Sequence, residues 1–227
     1  MRNREENYVN NPDEVQDSPG TVAYELEGAL YLNITRACTA RCIFCYREEA
    51  PRVGPYNLTL TRDPTIEEFR SSLIQAEQYR EVVLCGFGEP TLRLDLIKTL
   101  GQELKARSIP VRLNTNGHGN LIHRRNIVPE LAGFLAAISI SLDAHNESTY
   151  NRLCRPALGP GSYTSLLEFA RDCIGLIPKV TLTVVEHELV DVPACRIIAA
   201  NMGADFRVRR YYTHIKDTHR YLAPIPY

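Results

Sequence analysis

The chain has 227 residues, 44% of them apolar, with 26 lysines and arginines against 27 aspartates and glutamates. This is material for one domain with a sizeable core, and a formal charge of −1 excludes a global electrostatic case for nucleic acid or a membrane surface. No run of about 18 consecutive apolar residues is present, so no membrane partner is expected. Residues 1–20 lack the apolar stretch of a signal peptide, which makes the cytoplasm the expected compartment. Thiols stay reduced there, so the seven cysteines, three of them in residues 38–45, point to a metal and not to disulfides.

Residues 1–20 are rich in Asn, Asp, Glu and Pro, and the expectation is a loose tail. A core domain over 21–212 and a second tail over 213–227 complete the organisation. In "TVAYELEGALYLNIT" two β-rich runs break at Glu27-Gly28, a hairpin that leads into a first core strand near 29–35. That strand runs straight into the cysteines. The connection "YREEAPRVGPYNLTLTR" has no steady period and is long enough to be a functional loop. From Asp63 a helix with a capping signature precedes the strand "EVVLC". There follow a helix over 94–106, the strand "PVRLNT", a helix ending near Leu131, the strand "LAAISISL", and a helix over 163–177. The strand "KVTLTVV", a helix over 192–201 and the strand "ADFRVRR" close the series. Six β/α units with strands read as near-continuous apolar runs give an α/β fold with a parallel sheet, a partial (β/α)6 barrel.

The string "CTARCIFC" puts thiols at Cys38, Cys42 and Cys45, at the C-terminal end of the first core strand. Three thiolates on one tight loop can ligate three irons of a cubane cluster and leave the fourth iron open to a small chelator. A structural zinc site is the other reading, closed by a fourth Cys or His. His118, His123, His145, His187, His214 and His219 are all remote in sequence, and one of them would have to complete it. Cys85, Cys154, Cys173 and Cys195 share no ligand spacing and read as small buried hydrophobes, so no second cluster is expected.

The three-cysteine spacing, with Phe44 before the third thiol, resembles the signature of the radical SAM superfamily, and the resemblance extends over roughly residues 29–210. It implies that Cys38, Cys42 and Cys45 hold a [4Fe-4S] cluster, that Phe44 lies at the cofactor, and that S-adenosyl-L-methionine (SAM) chelates the open iron. "GFGEP", residues 86–90, looks like the family's Gly-Gly-Glu motif, with Phe87 in place of one glycine. Gly88 would let backbone approach the ligand and Glu89 would pair with an ammonium. Asn116 in "NTNG" resembles a turn near the ribose, although Asn-Gly is also an ordinary turn. In "SISLDA" the polar Ser139, Ser141 and Asp143 fall on one face. Ser141 is the candidate for a ribose or carboxylate contact, and Asp143 either touches SAM or substrate or caps a helix. Val184 or Val185, with Val185 preferred, would lie near the adenine and Glu186 at the mouth. Arg207 and Arg209 share a face with Tyr211 and would receive a carboxylate or phosphate of the substrate; a solvated edge strand is the competing reading.

The resemblance further implies an enzyme in which the reduced cluster splits SAM into methionine and a 5′-deoxyadenosyl radical, with flavodoxin or ferredoxin as reducing partner. "LYLNITRACTARCIFCYR" and "CGFGEPTLR" are most similar to the short radical SAM proteins linked to TatD-family hydrolases. A small-molecule substrate is favoured over RNA or an acidic peptide, which a rim of Arg47, Arg52, Arg207 and Arg209 would serve. A metal-stabilised redox or interaction module without SAM cleavage is the alternative from another class.

Overall fold

The computed structural model describes residues 18–45, 47 and 51–210. Most of the expected N-terminal tail, Tyr211 and the expected C-terminal tail lie outside these residues. The chain enters through an antiparallel hairpin of β1 (Ala23–Leu26) and β2 (Ala29–Asn33), paired from Ala23↔Leu32 to Leu26↔Ala29. Its turn residues Glu27 (φ 51°) and Gly28 (φ 73°) are both left-handed, the two-residue turn whose twist suits flanking strands. The long connection carries a second small hairpin, β3 (Arg52–Val53) with β4 (Tyr56–Asn57). Residues 18–20, assigned above to the tail, are tied down: Gly20 bridges Leu60, and Thr61 N–H donates to the Pro19 carbonyl at 3.0 Å.

Five further strands follow: β5 (Val82–Cys85), β6 (Val111–Thr115), β7 (Ala137–Ser141), β8 (Lys179–Val185) and β9 (Asp205–Arg209). They alternate with α1 (Ile66–Ser72), α2 (Leu94–Ala106), α3 (Gly119–His123), α4 (Val128–Ala132), α5 (Glu147–Cys154), α6 (Ser162–Cys173) and α7 (Val192–Met202). The sheet order is β1-β2-β5-β6-β7-β8-β9, with β2 and all later strands parallel. The six parallel strands of a partial (β/α) barrel are therefore present, opened between β9 and the hairpin. Among the described residues no helix is long and apolar enough to cross a membrane.

Local chemistry explains most element ends. Thr65 caps α1 through a full capping box with Glu68, a device worth about 1 kcal/mol. Where one helix was expected before Leu131 there are two, because Arg124 turns left-handed (φ 51°) and Asn120 accepts the Ile127 N–H through its side chain. Helix α5 was not anticipated; its cap is Asn146, which accepts from Thr149 N–H at 2.8 Å.

The two faces of the sheet differ in chemistry. Leu32, Leu84, Leu113, Ile138, Ile140, Leu182 and Val184 point to the helices and are fully buried in the main core. The other face begins apolar, where Val83 and Cys85 pack with Tyr24, Ala29 and Leu58. It then turns polar across Arg112 and Asn114 of β6, Ser139 and Ser141 of β7, Thr181 and Thr183 of β8, and Arg207 and Arg209 of β9. The strands β6, β7 and β9 thus alternate instead of running continuously apolar, since only one of their faces is covered by helices.

Candidate active site at the C-terminal ends of the strands

The loop that leaves β2 is held on two sides by backbone pairing. Ile34 N–H donates to the Cys85 carbonyl at 2.9 Å, Gly88 N–H to Thr35 at 3.0 Å and Glu89 N–H to Ala37 at 2.8 Å, which stitches it to the end of β5. A Cβ on Gly88 would lie 2.3 Å from the Thr35 carbonyl oxygen and 2.4 Å from that of Ala37. The close approach expected between Gly88 and a ligand is therefore first an approach to the chain's own cysteine loop. On the far side Ala40 bridges Pro156, Arg41 N–H donates to the Cys154 carbonyl and Ile43 N–H to that of Leu153, both at 2.9 Å.

Glu89 ties the loop to the next strand. It is 1% exposed, and its Oε1 accepts from Thr91 N–H (3.0 Å), Thr91 Oγ1 (2.6 Å) and Thr115 Oγ1 (2.7 Å), while Oε2 accepts from Asn116 N–H (2.7 Å). Burial raises its pKa, and the donors from Asn116, Thr91 and Thr115 pull against that. Asn116 in turn donates from Nδ2 to Thr39 Oγ1 at 2.9 Å and stands 3.9 Å from Cys38 Sγ.

Beneath the cysteines lies a buried chain of hydrogen bonds. Thr39 Oγ1 meets His118 Nδ1 at 2.9 Å, and His118 Nε2 meets the Tyr150 hydroxyl at 2.8 Å. His118 is fully buried, and desolvation lowers its pKa to about 4, so the ring is neutral with both nitrogens engaged. It is not available as a fourth metal ligand. The tyrosine comes from α5, whose last residue, Cys154, sits opposite Cys42. The Cys42 thiol and burial together push the Cys154 thiol well above its usual range. Cys85, Cys173 and Cys195 are likewise buried, each held up at about 12 by desolvation.

A cavity of about 230 Å³ opens beside this loop and is lined by Cys38, Gly88, Glu89, Asn116, Ser141 and Arg209, all of them singled out from the sequence. Phe87, Asn114, Thr115 and Tyr31 also line it and were not. Phe44 does not reach the cavity; it is 8% exposed in the main core, its ring 6.3 Å from that of His187. Asp143 is not a helix cap. It adopts φ 52°, lies 3% exposed beyond the end of β7, and accepts from Val185 N–H at 2.9 Å and from Arg209 Nη2 at 2.9 and 3.2 Å. Burial raises its pKa against the pull of Arg209 and the Val185 amide. Val185 pairs with Arg209 in register on the interior face, whereas Val184 belongs to the helix side, and Glu186 is exposed. Arg47 and Arg52 each donate to a backbone carbonyl, of Arg36 and Pro55.

Thr39 and Tyr150, missed in the sequence, and His118, considered there only as a zinc ligand, had one available signal. "HNESTYNRLC" offers an Asn cap followed by Tyr150, Leu153 and Cys154 on one helical face, which would have placed Tyr150 against the loop.

The donor set suits an iron–sulfur group. Three soft thiols lie on one eight-residue loop, and a cubane would put each thiolate on a different iron, wider apart than around a single ion. Among the described residues no three Cys, His, Asp or Glu side chains are gathered closely enough to hold one metal ion.

Residues 32–191, more than half of the chain, match the family described as the Radical SAM superfamily. The chain is 30% identical over 168 residues to a GTP 3′,8-cyclase from Rhodococcus opacus (strain B4), which covers 73% of this chain and 44% of the relative. It is also 30% identical over 131 residues to Molybdenum cofactor biosynthesis protein 1 from Drosophila melanogaster, covering 56% and 21%. The chain thus spans less than half the length of either relative. The crystal structure of Streptococcus suis SuiB superposes with a TM-score of 0.63 at 17% identity, over 83% of this chain and 40% of that one, and shares the fold. With its six parallel strands, its three-thiol loop at their C-terminal ends and this match, the chain belongs to the radical SAM superfamily.

Proposed function

We propose that the chain is a radical SAM enzyme in which Cys38, Cys42 and Cys45 hold a [4Fe-4S] cluster and the adjoining cavity takes SAM. The observation that carries this reading is the three-thiol loop clamped to the ends of β5 and β6, beside a cavity lined by Glu89 and Asn116. When bound, the reduced cluster supplies one electron to SAM, giving methionine and a 5′-deoxyadenosyl radical for hydrogen abstraction. The chain's own residues bind and orient. Glu89 Oε2 accepts a single hydrogen bond and keeps capacity for the methionine ammonium, whereas Oε1 is saturated. Asn116 and Ser141 offer polar contacts to the ribose or carboxylate, and Val185, on the same face of the sheet but outside the cavity lining, is the apolar candidate for the adenine. Phe44 packs the loop from behind. One core domain over 21–212 carries the whole site.

The electron donor is a flavodoxin or ferredoxin, and the substrate is a small molecule in preference to RNA or an acidic peptide. The narrower kinship with the short TatD-linked proteins rests on the two motif strings and belongs to this proposal. The test is anaerobic reconstitution with iron and sulfide, then dithionite and SAM, with 5′-deoxyadenosine measured by mass spectrometry. Product that is lost in Cys42→Ala supports the enzyme. A loaded four-iron protein that neither binds nor cleaves SAM would instead make it a redox or interaction module.

A further inference from the structure

The polar face of the sheet holds three arginines, and they are engaged to very different degrees. Arg112 uses four of its five donors: it grips Glu81 with two hydrogen bonds of 3.1 and 3.0 Å, donates to Asn114 at 2.9 Å and reaches the Tyr31 hydroxyl at 3.3 Å. Arg209 is half used. Its Nη2 makes every contact, to Ser141 and to both oxygens of Asp143, while its Nε is buried with no partner among the described residues. Arg207 is paired in register with Thr183, two residues below Arg209 on the same face, and no acceptor meets its guanidinium among the described residues.

The charges follow the same gradient. Glu81 neutralises Arg112 and Asp143 neutralises Arg209. Asp205 stands 3.8 Å from Lys179, at the other end of β9. Arg207 is left as an uncompensated cation flanked by two others. Arg207 is an exposed residue, and desolvation of its guanidinium, followed by the neighbouring Arg112 and Arg209, lowers its pKa against the weaker opposing pull of Tyr31 and Glu27. A guanidinium presents five donors in a rigid fork matched to carboxylate and phosphate oxygens. Arg209 and Ser141 line the cavity beside Cys38, and Arg207 stands next to them on the same face of β9, outside the lining, so the anchor adjoins the proposed SAM site without sharing its residues on β5 and β6.

We propose that Arg207 and Arg209 anchor an anionic group of the substrate, a carboxylate or a phosphate, on the β9 side of the cavity. That the anion belongs to a substrate rests on the radical SAM reading; the anion site itself does not. SAM carries a carboxylate of its own and is the competing occupant.

The test titrates inorganic pyrophosphate and citrate into the full chain, reconstituted with iron and sulfide, at low salt and with SAM saturating. One probe or both bind, and Arg207→Gln weakens the binding about ten-fold, consistent with the loss of charge-assisted hydrogen bonds. Arg207→Lys restores part of it, and the SAM affinity of both variants stays within about two-fold of the parent. Pyrophosphate alone binding identifies a phosphate, citrate alone a carboxylate. The proposal is overturned if neither probe binds, if Arg207→Gln binds them as the parent does, or if Arg207→Gln weakens SAM and probe alike, which would assign the arginine to SAM. Repeating the titration without SAM separates the two readings, because an anion site persists there even if SAM never binds.

Discussion

The two sides of the cavity are built on opposite principles. On the β2–β5–β6 side most polar groups are engaged by the protein itself: Glu89 accepts four hydrogen bonds, three of them at Oε1, and Thr39, Asn116, His118 and Tyr150 interlock beneath the thiols. On the β9 side Arg207 is free of acceptors among the described residues, and Arg209 uses one nitrogen of three. A satisfied buried network is stiff, and an unsatisfied cation in a cleft has binding capacity in reserve. The difference separates a seat for a cofactor loop from a grip for a ligand.

That contrast predicts that substitutions on the first side cost stability and those on the second cost binding. Gly88→Ala should have the largest effect, about 3 kcal/mol or more, because the new methyl meets two backbone carbonyls that cannot rotate away. Denaturant unfolding together with iron content after reconstitution measures both consequences, and near-parental values would mean that the loop is not seated as described. His118→Asn should follow, at about 3 kcal/mol, through the partners it leaves unmatched at Thr39 and Tyr150. It should also shift the cluster's electron paramagnetic resonance signal.

His118 carries a pH dependence of definite sign. Its ordinary value of 6.5 applies unfolded and a value of about 4 applies folded, so between them the unfolded chain binds the extra proton. Stability is fully present above pH 6.5 and falls by about 3 kcal/mol as the pH drops to 4. His118→Asn should lack this part of the acid loss; parallel pH profiles for the two proteins would remove the histidine from the account.

Asp143→Asn should cost less, about 1 kcal/mol, since the amide oxygen still accepts from Val185 and the lost partner Arg209 is 39% exposed. It should at the same time tighten pyrophosphate binding by freeing a guanidinium. Arg207→Gln should be the mildest in thermal unfolding, within about 0.5 kcal/mol. A large destabilisation there would show that the arginine is structural and erase the distinction between the two sides.

Much of this was readable in the chain because it depends on local signals. The Glu27-Gly28 turn, the Thr65 capping box and the bounds of α2 follow from residues within one turn of each other. The cysteine spacing and "GFGEP" likewise carry their meaning in a few adjacent positions. What stayed hidden depends on pairs far apart in sequence. Thr39 and His118 are 79 residues apart, and Asp143 and Arg209 are 66 apart, so neither partner announces the other. Phe44, expected at the cofactor, has its ring packed in the main core, a placement that the motif alone does not announce. Gly88 was expected to let backbone approach a ligand, and the close neighbours found there are carbonyls of the chain itself.

An open barrel leaves the sheet with two edges, β1 and β9, and among the described residues no strand pairs with the outer side of β9. Exposed edges recruit strands from other molecules and seed aggregation, and proteins guard them with charges pointing inward from the edge strand. Asp205, Arg207 and Arg209 put a charge at every second position of β9, so an incoming chain would have to bury them to continue the sheet. The arginines proposed to hold an anion thus stand where a charge makes strand addition to the unfinished barrel costly.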